Sequence, residues 1–135
     1  MARTPLPPLA AVVSFIDCIN RGDLDESTRL MHAEHRLIVL DEDPPVGRDA
    51  NREAWRVYFT SFPQYVIHPR VLGAHDERVA VLGATTGSHL DLPDDEELAI
   101  GVIWLAEVDD GRLRSWRIAP DTPAMRARSG IPPGL

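Results

Sequence analysis

The sequence predicts an α+β fold, in which three N-terminal helices cover a curved antiparallel (mixed) sheet and close a cone-shaped barrel. Three observations predict it. Apolar residues recur at helical spacing near the start, with Val12, Phe15, Ile16 and Ile19 on one face. From Arg78 to Asp121 the pattern changes to three long runs, Arg78–His89, Leu98–Ala106 and Leu113–Ala119, rich in Val, Ile, Thr and Trp. The last two runs flank Asp109-Asp110-Gly111-Arg112, and an Asp-Gly pair between apolar runs is a strong hairpin signal. Runs this long make a bent sheet, with Gly83, Gly87 and Gly101 where it can curve. The concave face of such a sheet can hold a ligand.

Taken in order, residues 1–7 read as a disordered lead, residues 8–121 as one domain and residues 122–135 as a tail. The first helix runs from Pro8, acceptable in a first turn, to Arg21, with Gly22 as its stop. Asp23, three residues ahead of Glu26, opens a short second helix to about Met31. His35–Asp41 alternates and is predicted as the first strand. Pro44 and Pro45 make the next segment a loop. A third helix, Asp49–Ser61, is capped by Asp49 and lined by Trp55, Tyr58, Phe59 and, just beyond it, Phe62. The second strand, Gln64–Ala74, contains Pro69, which implies an edge position or a bulge. The three-run meander follows, and Arg126–Ser129 is long enough for one helical turn.

The net charge of −7, from 14 basic and 21 acidic residues, argues against nucleic acid or an anionic membrane as the main partner. All the basic residues are arginine, so a Schiff-base lysine and a lysine-bearing phosphate loop are excluded. Cys18 is the single cysteine and permits neither an internal disulfide nor a cysteine metal cluster. The proline-rich start has no signal-peptide core, and no run approaches the roughly 20 apolar residues of a membrane span. A cytoplasmic, reduced protein without cofactor is the plain reading.

Four sequence pieces, in order and spacing, resemble the nuclear transport factor 2-like superfamily, and within it the SnoaL-like polyketide cyclase group. They are Phe15-Ile16-Asp17 with Asn20-Arg21-Gly22-Asp23, Val46-Gly47-Arg48, Arg78–Val81 with Gly87-Ser88-His89, and Asp110–Leu113 with Trp116 and Asp121. The resemblance spans nearly all of residues 8–130 and implies a cone-shaped barrel, a small apolar ligand and a homodimer through the outer sheet face. It covers cyclases, isomerases, dehydratases and epoxide hydrolases, and also members without catalysis, so fold alone does not fix activity.

Three groups are candidates for acid–base chemistry. Asp121 ends the last strand, where SnoaL-like cyclases carry a general base; burial in an apolar pocket would raise its pKa toward neutrality. Its plain alternative is to cap the tail before Thr122-Pro123. His89 ends the third strand and can move a proton or orient a substrate oxygen, or can simply be an exposed strand end. Asp41 stands near the position of the base in ketosteroid isomerase-like members, with Asp43 as the competing match. The other parts of that site are replaced by Phe15 and Ile103, so the enolate donors are missing and steroid isomerisation is disfavoured. Phe15, Trp55, Tyr58 and Trp116 are the expected walls of an apolar cavity of a few hundred Å³, against the alternative of ordinary core packing. Val102 and Trp104 are placed on the opposite face, inside the dimer contact. Asp94–Glu97 reads as a solvated hairpin tip. His32, His35 and His68 find no third partner at ligand spacing, so no metal is expected. The function is then an acid–base isomerase, cyclase or dehydratase, or a non-catalytic binding or dimerisation module of the same fold.

Overall fold

The computed structural model describes residues 4–39 and 42–135. Helix α1 (Pro8–Arg21) ends at Gly22, whose left-handed backbone (φ 65°) lets the Gly22 and Asp23 N–H groups bond the Ile19 and Cys18 carbonyls. Asp23 then caps α2 (Leu24–Arg29), accepting from the Glu26 N–H at 3.1 Å. Strand β1 (Met31–Val39) starts earlier than the sequence suggests, so His35 lies inside it. The start of α3 (Arg48–Ser61) differs too. Gly47, not Asp49, holds the cap position. The buried Asn51 amide does the tying, donating to the carbonyls of His35 (2.8 Å), Pro45 (3.0 Å) and Gly47 (2.8 Å).

Strand β2 (Val66–His75) lies at the sheet edge and carries a bulge between Pro69 and Val71. Next come β3 (Arg78–Thr86), a short helix α4 (Asp94–Leu98), β4 (Val102–Asp109), β5 (Arg112–Pro120) and α5 (Pro123–Ser129). The five strands form one open, mixed sheet in the order β1-β5-β4-β3-β2, with β1 parallel to β5 and every other pair antiparallel. Asp110 and Gly111 both have positive φ (54° and 74°), the geometry of a tight hairpin turn. The sequence extends two strands too far. Leu98–Gly101 is not strand, because four acidic residues after Pro93 start a helical turn. Gly87-Ser88-His89 lies beyond the end of β3.

Helices α1 and α3 cover the inner face. Val12, Phe15, Ile16 and Ile19 of α1 and Trp55 of α3 are buried against Val79, Val81, Ala106 and Leu113 of the sheet. Asn20 locks α1 to β2 by exchanging two hydrogen bonds with the Ile67 backbone (2.9 and 2.8 Å). One expectation is overturned here. Ladder partners share a face, and Trp104 pairs with Ile118 while Ala106 pairs with Trp116. Trp104 therefore points inward beside Trp116, fully buried, with their rings stacked at 6.3 Å. Val102 also packs on the inner core, so neither residue is in an outer dimer contact. Alternation gives the phase within a strand but not between strands; register decides that. The outer face bears α5 instead, where Leu82, Ile103 and Ile131 make a second buried cluster with Met125. No helix among the described residues is long and apolar enough to cross a membrane.

Candidate functional site

Phe15 is the hub of the inner aromatic cluster. Its ring centroid lies 5.2 Å from Trp116, 6.0 Å from His35 and 6.5 Å from Trp55. Phe15, Trp55 and Trp116, three of the four residues expected to wall a cavity, are buried in the core cluster and take up the space between themselves. A hollow of about 840 Å³ lies elsewhere, on the outer face of the sheet.

His35 is a buried polar member of this cluster that the sequence reading assigned to a helix end. Its Nδ1 donates to the Leu113 carbonyl at 2.6 Å, because that oxygen can only accept. Its Nε2 is buried without a partner. Burial lowers the His35 pKa to about 4, a nearby His32 also lowers it, and the Leu113 carbonyl opposes the shift.

The fourth expected wall residue, Tyr58, is only half-buried and stands at the rim of the cone. Its hydroxyl is 2.9 Å from His89 Nδ1 and accepts from the His89 backbone N–H at 3.3 Å. Thus two residues singled out separately in the sequence meet. Their rings are 5.9 Å apart, and Phe62 and Tyr65 pack against Tyr58 at 4.8 and 5.0 Å. Gly87 makes the approach possible: its φ is 69°, and a Cβ there would lie 2.3 Å from the Gln64 carbonyl oxygen. Burial raises the Tyr58 pKa, and the Glu97 charge raises it further, so the phenol stays a neutral donor; the His89 backbone N–H works the other way. The buried Tyr65 hydroxyl is raised for the same first reason.

Glu97 is the residue that the sequence hides. Only 1% of it is exposed, although it belongs to the run expected to be solvated. Its carboxylate accepts from the Thr85 hydroxyl and, at 3.4 Å, from the Ser88 N–H. The only available signal was Pro93 before acidic residues, which marks a helix start but not which acid turns inward.

Asp121 is not part of this cluster. It forms a two-pronged pair with Arg126 at 2.6 and 2.8 Å, and that bonding holds its carboxyl below the usual value, opposite to what a base near neutrality needs. Arg126 also donates to the carbonyls of Pro133 and Leu135, so the pair fastens the tail. Asp41 lies outside the described residues. His68 is exposed and bonds Thr86 at 2.9 Å. Among the described residues no three His, Cys, Asp or Glu side chains are grouped to hold a metal.

A family model for the SnoaL-like domain matches residues 12–116. No curated protein matches the sequence. Solved structures share the fold at low identity. A candidate SnoaL-like polyketide cyclase from Jannaschia sp. CCS1 is 20% identical over 98% of this chain and 99% of its own, with a TM-score of 0.69. An NTF2-like protein of unknown function from Cytophaga hutchinsonii is 10% identical over 92% and 98%, at 0.68. An epoxide hydrolase of LEH-like type from M. tuberculosis is 18% identical over 84% and 82%, at 0.65.

Proposed function

This chain belongs to the SnoaL-like domain family, and from that premise we propose that it handles a small apolar carbonyl compound by acid–base chemistry at the rim of the cone. The observation that carries the proposal is the Tyr58 hydroxyl bonded to His89 Nδ1 at 2.9 Å beside the buried Glu97. A substrate oxygen that takes over the Tyr58 O–H as acceptor releases Nδ1. The free nitrogen can then remove a proton from the carbon next to the carbonyl, while the phenol stabilises the enolate oxygen. Return of the proton to another carbon gives an isomer, and loss of a leaving group gives a dehydrated product. Leu90 and Leu98, both exposed apolar residues of the same connection between β3 and β4, suit an apolar substrate.

The test uses 2-tetralone in D₂O. Wild-type protein should speed deuterium exchange at its α-carbon, and His89→Gln should lower that rate by about 100-fold or more. Equal rates in both proteins would refute the assignment. A second reading, a non-catalytic binding module, is favoured by the mutual burial of Phe15, Trp55 and Trp116, which leaves the rim alone for a ligand. Saturable binding of the ketone with no exchange selects it.

A further inference from the structure

We infer that the outer face of the sheet carries a second binding site, for a small amphiphilic anion, independent of the acid–base reading. Register lays the face out in rows. Ile38, Arg117, Leu105, Ala80 and Gly73 are successive partners across all five strands. One row further along, Arg36, Ser115, Glu107 and Arg78 are partners in the same way. On the other side Leu82 and Ile103 are covered by Met125 and Ile131. Helix α5 thus roofs one row and leaves the next two open beside it. The result is the hollow of about 840 Å³, with Ala127–Gly130 as one wall. That size lies within the usual range for small-molecule sites.

Its charge is opposite to that of the molecule. The lining holds five arginines against two glutamates, in a chain of net charge −7. Arg114 is engaged with Glu34 (3.7 Å) and Asp109 (3.3 Å). Arg36, Arg78, Arg117 and Arg128 are exposed, and no ion pair joins them to a described residue. Guanidinium groups bind phosphate and carboxylate through paired N–H donors. Between them the floor is apolar, from Ile38, Ala80 and Leu105. Cations around an apolar strip fit a molecule with a hydrocarbon body and an anionic head. A second copy of the chain fits poorly, because a two-fold contact sets the same patch against itself, arginines facing arginines.

The probe is 2-naphthyl phosphate, with 2-naphthol as its neutral counterpart, titrated by calorimetry at low and high salt. The phosphate should bind one per chain, weaken as salt rises, and weaken by about tenfold or more in the Arg78→Gln/Arg117→Gln double variant. Both arginines are exposed, so the variant should fold, and unchanged far-ultraviolet dichroism checks it. 2-Naphthol should bind at least about tenfold more weakly than the phosphate. Equal affinity of the double variant and wild type for the phosphate overturns the site. So does a wild-type homodimer that Leu105→Glu converts to monomer, since a second copy would then cover the face. Tighter binding of a short single-stranded oligonucleotide, lost in the same double variant, overturns the small-molecule class.

Discussion

Protonation of His35 should unfold this protein from within. The ring lies inside the core, with Nδ1 bonded to the Leu113 carbonyl and Nε2 facing the Phe15 side of the cluster without a partner. The charged form would bury a second N–H with nothing to accept it. The folded pKa of about 4 lies below the ordinary 6.5, so the unfolded chain binds the proton more readily. The sign follows. The stabilisation from neutral His35 is complete above pH 6.5, is lost as pH falls through the window to about 4, and changes no further below it. At about 1.4 kcal/mol per pH unit, the loss across that window is about 3 kcal/mol. For a domain of this length that is roughly 10 °C in melting temperature. Urea titrations at half-unit pH steps measure it directly. His35→Asn keeps a donor near the Nδ1 position and has no proton to gain. It should start lower at pH 7, because the smaller side chain leaves space, but should fall less steeply between pH 6.5 and 4. Parallel pH curves for the two proteins would refute the reasoning.

Three further outcomes follow from buried polar groups and one close backbone approach. Glu97→Leu should cost about 1–3 kcal/mol in urea unfolding, because the Thr85 hydroxyl and the Ser88 N–H lose their acceptor. Asn51→Ala should cost a similar amount, about 1–3 kcal/mol, by leaving the His35, Pro45 and Gly47 carbonyls without their shared donor. Gly87→Ala should destabilise by at least about 1 kcal/mol, and its Tyr58 ring resonances should shift, since the new Cβ would collide with Gln64.

Local chemistry made much of the fold legible. Gly22-Asp23 marked its corner through backbone freedom and a capping carboxylate, and Asp110-Gly111 marked its hairpin through positive φ. Both signals are complete within a few residues. What failed depended on distant parts of the chain. Trp104 was assigned to the wrong face because the register between β4 and β5 is fixed by the whole sheet. Asp49 lost the cap position to Gly47 because Asn51, through contacts with β1, organises the helix start. The site divided along the same line. Tyr58 and His89 were both named, from helical spacing and from the strand-end motif, but their bond spans 31 residues and no periodicity announces it. Glu97 was hidden among three acidic neighbours because only the position of α4 over Thr85 turns one of them inward. Asp121 was read as a base from its place at the end of the last strand, and the partner that occupies it, Arg126, lies in the tail helix.

The claim at the centre of this account is that the working site is the rim around Tyr58 and His89. Chemical-shift mapping with ¹⁵N- and ¹³C-labelled protein tests it most directly, with 2-tetralone as the titrant. The account predicts saturable shifts centred on Tyr58, Phe62, Ser88 and His89, weakened by His89→Gln. Shifts confined to the outer sheet face, or centred on Asp121 and Arg126, would contradict it.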